Sequence, residues 1–114
     1  MPKMEMEFFD PDVKVPWRQA EGAIEGIMEK IVSIDPETGS YTRFLKFPPL
    51  ETTELALVHD FWEEVYIIKG SLYDIKKKET YLEGWYACRP PGMKHGPCKI
   101  PNRCMTFEIR YYQK

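Results

Sequence analysis

The chain has only two histidines, His59 and His95, and each stands in a context that suits a metal ligand. His59 lies four residues ahead of Glu63, and His95 follows a Pro-rich, Gly-containing turn over residues 89–94. Neutral imidazole and carboxylate are the ligand types that hold divalent Fe, Mn, Ni, Cu or Zn. The pattern therefore indicates a metal site. The alternative is a pair of unrelated surface or core histidines.

Short β-strands separated by turns account for most of the pattern around these residues. The strands predicted from alternation and from β-branched or aromatic content are residues 26–34, 41–47, 55–59, 64–68, 72–75, 81–82, 85–88 and 105–112. The window 20–30 is ambiguous, because its apolar spacing also fits a helical stripe that two glycines weaken. Many short strands without a long helix predict an all-β sandwich or barrel.

Composition limits the classes of partner. At 114 residues with 43% hydrophobic content, the chain has the size and core of one compact domain. A net charge of −2 leaves no basic field for nucleic acid or anionic lipid, and the run Lys76-Lys77-Lys78 predicts an exposed hairpin tip. No segment resembles a signal peptide or a membrane span, and the three cysteines lack CxxC spacing. We therefore expect a reduced, cytoplasmic protein with no nucleic-acid or membrane partner.

Two sequence motifs resemble those of the cupin superfamily, and together they cover residues 57–99. In the first, three residues separate His59 from Glu63 and six more lead to Gly70. The second runs from Gly84 through Pro90 and Gly92 to His95 with the family's spacing. The run 62–72 is also similar to small single-domain cupins of the anti-sigma-factor sensor type. The resemblance implies a jelly-roll β-barrel of short antiparallel strands, with residues 1–114 as one domain and residues 1–20 as an N-terminal arm or edge strand.

Two positions depart from the family's motifs. The first motif histidine would fall at Leu57, and the final asparagine of the second would fall at Lys99. The resemblance therefore implies a reduced ligand set of His59, Glu63 and His95 for a divalent transition metal such as Fe, Mn, Ni or Zn. Two histidines and one carboxylate are a known arrangement for non-haem iron. Losing one ligand could equally leave the site empty.

The last predicted strand has two interpretations. Alternate residues share one face: Thr106, Glu108, Arg110 and Tyr112. If this face points inward, Arg110 could anchor a substrate carboxylate and Glu108 could orient a metal ligand, so that Glu63 and Arg110 are the candidate catalytic residues. We favour the alternative, in which this face is exposed and the apolar residues between fill the core. Arg43 poses the same question on strand 41–47.

Four other side chains have simpler interpretations. We expect Trp62, Tyr66 and Trp85 to pack in the core or at a subunit interface rather than to stack on a substrate. Cys88 is expected to be a small buried hydrophobe.

Three functions compete under this resemblance. The first is a metal-dependent, dioxygenase-like enzyme that acts on a small organic acid or phenolic metabolite, with lyase or isomerase chemistry as a variant. The second is a non-catalytic sensor of a small ligand, and the third is a metal-free structural cupin. The chain lacks the GxSxG, Walker and dinucleotide motifs. A reaction catalysed by a pair of carboxylates alone, as in glycosidases, stays an alternative because Glu and Asp are abundant. Small cupins are typically dimers, so we expect a homodimer.

Overall fold

The protein is a two-layer sandwich of antiparallel sheets in a computed structural model that describes residues 3–53 and 59–112. Its elements are α1 (Pro11–Lys14), β1 (Arg18–Gln19), β2 (Met28–Ile34), β3 (Tyr41–Phe47), β4 (Trp62–Gly70), β5 (Leu72–Asp74), β6 (Glu79–Tyr81), β7 (Tyr86–Arg89), β8 (Cys98–Lys99) and β9 (Cys104–Tyr111). The larger sheet has the order β1-β2-β3-β9-β4-β7, and the smaller has the order β6-β5-β8. Between the described strands, no ladder closes the two sheets into a complete barrel.

Most predicted strands are present within a few residues of their expected bounds. The strand expected over residues 55–59 lies outside the described residues except for His59, and so does Leu57. The two-residue strand β8 was not predicted. The turn at residues 75–78 carries the exposed lysines at a hairpin tip, as expected.

The helical interpretation of residues 20–30 is wrong, because this segment consists of turns that lead into β2. The side-chain amide of Gln19 donates to the carbonyl oxygens of Ala23 and Ile24, and its oxygen accepts from the Gly26 N–H. Gly22 and Gly26 both have positive φ, which breaks a right-handed helix. The side-chain bonds of Gln19 thus replace the backbone ladder of a helix.

Apolar and charged side chains divide the interior between them. One apolar cluster contains Ile67, Leu72, Ile100 and Cys104, and a second contains Ala20, Ile27 and Leu45. In the described ranges, seven buried side chains are polar or charged and eight are apolar. Charged residues are seldom buried unless they are paired, so a core this polar points to a functional interior.

The N-terminal segment packs on the outer face of the larger sheet. The Lys30 ammonium group on β2 bonds to Asp12 of α1 at 2.9 Å and lies 4.5 Å from the centre of the Trp17 ring. Lys46 on β3 lies 4.3 Å from the same ring. In the described part of the chain, no helix is long and apolar enough to cross a lipid bilayer.

Candidate metal and anion site

The three sequence-predicted ligands converge in the structure. One ligand atom each from His59, Glu63 and His95 lies within 4.8 Å of the other two. The His95 Nε2 atom is 4.0 Å from Glu63 Oε1, and the two imidazole centres are 5.1 Å apart. Both Nε2 atoms are buried and have no hydrogen-bond partner among the described residues. Buried polar atoms are rarely left unpaired, so two such nitrogens facing one carboxylate are typical of a ligand site.

Local structure explains how each ligand is placed. Glu63 is the second residue of β4 and is only 3% exposed, whereas the adjacent Glu64 points to the other face and accepts a hydrogen bond from the Tyr86 hydroxyl. Successive side chains of β4 thus alternate between the two faces of the sheet. His59 precedes β4, stacks on Phe61, and accepts the Gly92 N–H at its carbonyl oxygen at 2.8 Å. That bond ties the His59 segment to the turn that carries His95.

The electrostatic surroundings favour the ligand forms of all three side chains. Burial lowers the pKa of His95 to about 4, and the nearby Arg89 adds to this effect. Burial also lowers the pKa of His59. For Glu63, burial alone would raise the pKa, but Arg110 and Arg89 hold it below its usual value. At neutral pH the site therefore presents two neutral imidazoles and one ionised carboxylate.

Charged side chains of alternating sign continue from this site across the inner face of the larger sheet. We call this set the charge ladder: Arg18, Glu29, Arg43, Glu108, Arg110, Glu63 and Arg89. Its successive nitrogen–oxygen distances are 3.1, 2.6, 2.9, 3.9, 2.7 and 3.1 Å. Every strand of the sheet contributes at least one member.

Strand register creates the charge ladder. Glu63 is the direct cross-strand partner of both Arg110 and Arg89, and Arg43 is the partner of Glu108. Opposite charges at such positions attract, and in the interior each carboxylate needs a cation to remain ionised.

The expectation that the 106–112 face of the last strand is exposed is wrong. Thr106 and Glu108 are 1% and 5% exposed and point inward. The reason is pairing: Glu108 accepts from Arg43 Nη2 at 2.9 Å and from the Thr106 hydroxyl at 3.0 Å. Burial alone would lower the pKa of Arg43, but Glu108 raises it above its ordinary value.

Arg110 faces the predicted site, but its guanidinium group is already engaged. Its Nε donates to Glu63 Oε2 at 2.7 Å, and its Nη1 donates to the Tyr41 hydroxyl at 2.7 Å. Glu108 contacts arginines and a threonine rather than either imidazole among the described residues. The contacts of Arg110 are those of a residue that orients Glu63.

The cavity beside these residues has a volume of about 350 Å³. Its charged wall includes Arg43, Arg89, Glu63, Glu108 and Arg110, and its apolar wall includes Ile24, Ile27, Leu45, Val65 and Leu72. Ligand pockets in proteins start near ~300 Å³ and combine a few polar groups with apolar walls.

A comparison with known proteins assigns the fold family. The sequence-family model of the ChrR cupin-like domain matches residues 7–112 of the chain. The chain belongs to the ChrR cupin-like family. The cupin resemblance of the sequence motifs is thereby confirmed.

Solved structures share the cupin fold at low sequence identity. The acetylacetone dioxygenase from Acinetobacter johnsonii has a TM-score of 0.69 at 16% identity, over 97% of this chain and 83% of that one. KdgF from Halomonas sp. has a TM-score of 0.74 at 18% identity, over 96% of both chains. The complex of Rhodobacter sphaeroides SigE with the anti-sigma ChrR contains a match of 0.62 at 17% identity, over 85% of this chain and 50% of that chain. No curated protein sequence matches this cupin.

Cupin relatives with the full ligand set imply a metal ion, and the residues of this cupin fit one. The two Nε2 atoms, which have no hydrogen-bond partner within residues 3–53 and 59–112, are available as ligands. In the part of the chain that the structure describes, each oxygen of Glu63 accepts one arginine N–H, and a carboxylate oxygen has a second acceptor position for a cation. Lys99, at the position of the motif asparagine, lies on β8 with its ammonium group 3.7 Å from Glu51.

Sequence reasoning missed Arg89 and Glu29 as members of the site. The signal for Arg89 was present, because alternation along β7 places Ala87 and Arg89 inward and Tyr86 and Cys88 outward. Strand alternation predicts that only one of the neighbours Glu29 and Lys30 is buried, but both are. Lys30 is buried because the N-terminal segment covers the outer face of β2.

Three expectations about single residues also change. Cys88 is exposed rather than buried, because it lies on the outer face of the edge strand β7. Tyr66 and Trp85 are about half exposed, which rules out the core alternative, and packing at a subunit interface stays a prediction. Trp85 instead lines a second cavity.

Proposed function

We propose that this cupin binds a divalent transition metal through His59, Glu63 and His95 and acts as a metal-dependent, dioxygenase-like enzyme on a small organic acid or phenolic metabolite. The observation that carries the proposal is a pair of buried imidazole nitrogens that lack a hydrogen-bond partner in the described part of the chain and lie beside an ionised carboxylate. A bound metal would supply Lewis acidity and, if it is iron, the activation of dioxygen.

The protein's own side chains would orient the ligand Glu63, keep it ionised and exclude water from the site. Arg110 and Arg89 keep Glu63 ionised and fix both of its oxygens. Tyr41 in turn holds Arg110. The apolar wall formed by Leu45, Val65 and Leu72 lets a substrate displace water from the site. The fold shared with an acetylacetone dioxygenase is compatible with this chemistry.

The first test is the metal content of the untagged protein, measured by elemental mass spectrometry. We expect near-stoichiometric iron, manganese, nickel or zinc in the wild type and its loss in His95→Ala. Lys94→Ala is the matched control, since Lys94 is the exposed neighbour of His95, and it should retain the metal. Wild-type protein that stays empty after incubation with each metal would overturn the proposal.

The second candidate is a sensor of a small ligand, and the family match favours it. The family model takes its name from ChrR, and one structural neighbour is the anti-sigma ChrR in complex with SigE. Oxygen uptake or product formation with candidate acids and phenols by the metal-loaded protein separates the two. Metal occupancy and ligand binding without any turnover would favour the sensor.

A further inference from the structure

Three arginines reach the cavity, and two of them have their guanidinium groups occupied by partners of the fold. Arg43 donates to Glu29 at 2.6 Å and to Glu108 at 2.9 and 3.1 Å. Arg110 donates to Glu63 and to Tyr41, both at 2.7 Å. These bonds engage three of the five N–H donors of Arg43 and two of those of Arg110, and they hold each guanidinium group between two partners.

Arg89 differs from the other two. Among the described residues its hydrogen bond is the single 3.1 Å contact from Nη1 to Glu63, which leaves its Nε and Nη2 donors available. Its side chain is 17% exposed, so it is largely desolvated but still reachable. Arginine with free, partly buried donors is the side chain that best recognises a carboxylate.

The position of Arg89 is also distinctive, because it lies between two cavities. The second cavity has a volume of about 290 Å³ and shares Val65, Leu72, Arg89 and His95 with the first. A ligand group bound by Arg89 would therefore sit beside His95, with space extending on both sides.

The second cavity is suited to an apolar or aromatic group. Its walls include Ile67, Tyr81, Trp85 and Met93, and the rings of Tyr81 and Trp85 are 6.1 Å apart. Asp74 also borders it, and its carboxylate accepts the N–H groups of Lys76 and Lys77. Lys77 borders the cavity as well, so Asp74 does not decide its charge preference alone. The mainly apolar walls would leave a second carboxylate desolvated without a dedicated partner, which is unfavourable.

The balance of charges around the cavity also favours an anionic ligand. The inner part of the charge ladder has three cations, Arg43, Arg89 and Arg110, against three anions, Glu29, Glu63 and Glu108. A divalent metal would leave this partly buried set with an excess of positive charge. An anionic ligand would reduce that excess, because uncompensated buried charge is unfavourable.

We propose that Arg89 is the substrate-binding residue of this cupin and that it takes the carboxylate of an amphipathic monocarboxylate. The apolar or aryl part of that molecule fills the second cavity, against Tyr81, Trp85 and Met93. This inference rests on the proposed function for the metal beside the carboxylate and adds the substrate class.

Isothermal titration calorimetry with 3-phenylpropionate on zinc-loaded wild-type protein tests the proposal. Its amide, 3-phenylpropionamide, and 3-(4-carboxyphenyl)propionate, which carries a second carboxylate, should each bind at least about tenfold more weakly. Arg89→Met should weaken binding of the monocarboxylate about tenfold to a hundredfold, and Arg89→Lys should recover part of the loss. The exposed Arg103→Met is the matched control and should bind like the wild type.

The outcomes separate this inference from the metal proposal when zinc content is measured on the same samples. Zinc uptake combined with equal binding of acid and amide, or with no binding of the acid, would overturn the role of Arg89 and leave the metal site standing. Acid binding that depends on Arg89 in protein that stays empty after incubation with iron, manganese, nickel and zinc would support the anion site and overturn the metal proposal. Circular dichroism checks the fold of each variant, and the ligand series on wild type decides the matter if Arg89→Met does not fold.

Discussion

At the scale of single residues, Arg43 is the member of the charge ladder whose replacement should destabilise the fold most. Its side chain is only 7% exposed and lies between the carboxylates of Glu29 and Glu108. Replacing it with Met would leave two buried carboxylates without their shared cation. We expect Arg43→Met to lower the free energy of unfolding by about 3–5 kcal/mol, measured by urea denaturation.

Arg103→Met is the matched control for this variant, because Arg103 is an exposed arginine. It should change the free energy of unfolding by no more than about 0.5 kcal/mol. A loss below about 1 kcal/mol in Arg43→Met would mean that the two carboxylates find other partners, contrary to the pairing described above.

Residue chemistry also explains which site residues the sequence could predict. His59, Glu63 and His95 belong to ligand types whose spacing within short motifs carries the signal. Arg89 stands 26 positions from Glu63 in the chain and meets it through the register of β4 against β7. A register between separate strands is set by tertiary packing, so the ion pair was beyond the reach of local spacing.

At the scale of elements, Gly70 shows why the first cupin motif ends in glycine. It closes β4 opposite Cys104 with φ of +81°, and a Cβ atom there would overlap the backbone carbonyl of Arg103. Since the contact is with backbone, relief requires β9 to move away from β4. We expect Gly70→Ala to lower the free energy of unfolding by about 2–4 kcal/mol in urea denaturation.

Gly39→Ala isolates the steric part of that loss. Gly39 has the same φ of +81°, but a Cβ atom there would meet nothing within 4 Å. It should show only the penalty of a left-handed backbone, about 1 kcal/mol. Equal losses in the two variants would contradict the steric explanation for Gly70.

Element prediction succeeded where alternation was regular and failed where side chains replaced backbone bonds. The strand expected over 41–47 matches β3 because its alternation is undisturbed. The segment after β1 has apolar spacing that also fits a helix, whereas the hydrogen bonds of Gln19 that hold its turns have no periodic signal in the sequence. The strand β8 has only two residues, too few for a periodic pattern.

At the scale of the whole molecule, the apolar residues that stabilise the sandwich are separate from the charged residues that form the candidate site. The apolar cluster around Ile67 and Ile100 holds the two sheets together. The charge ladder uses the inner face of the larger sheet, where six strands must keep one register for its ion pairs to form. The sequence could predict the cupin fold and the three candidate ligands that the structure brings together, while the ladder emerged only from the assembled sheet.

The outer face of the same sheet leads to the last prediction, a homodimer. Tyr66 and Tyr86 are cross-strand partners on β4 and β7 and are 47% and 59% exposed. Trp62 stacks on Tyr111 on the same face, and β7 is an edge strand. Exposed aromatic patches next to a sheet edge favour self-association. Multi-angle light scattering should give twice the chain mass of 13.5 kDa.

Two variants test which surface forms the dimer. Tyr86→Lys places a charge on the aromatic face, where it can pair with Glu64, and it should shift the measured mass toward that of one chain. Phe8 is 99% exposed in the N-terminal segment, and Phe8→Ser should leave the mass unchanged. The reverse result would assign the interface to the N-terminal segment. A wild-type protein that scatters as a monomer at every concentration would rule out the dimer, and the aromatic face would then be solvent-exposed in the working protein.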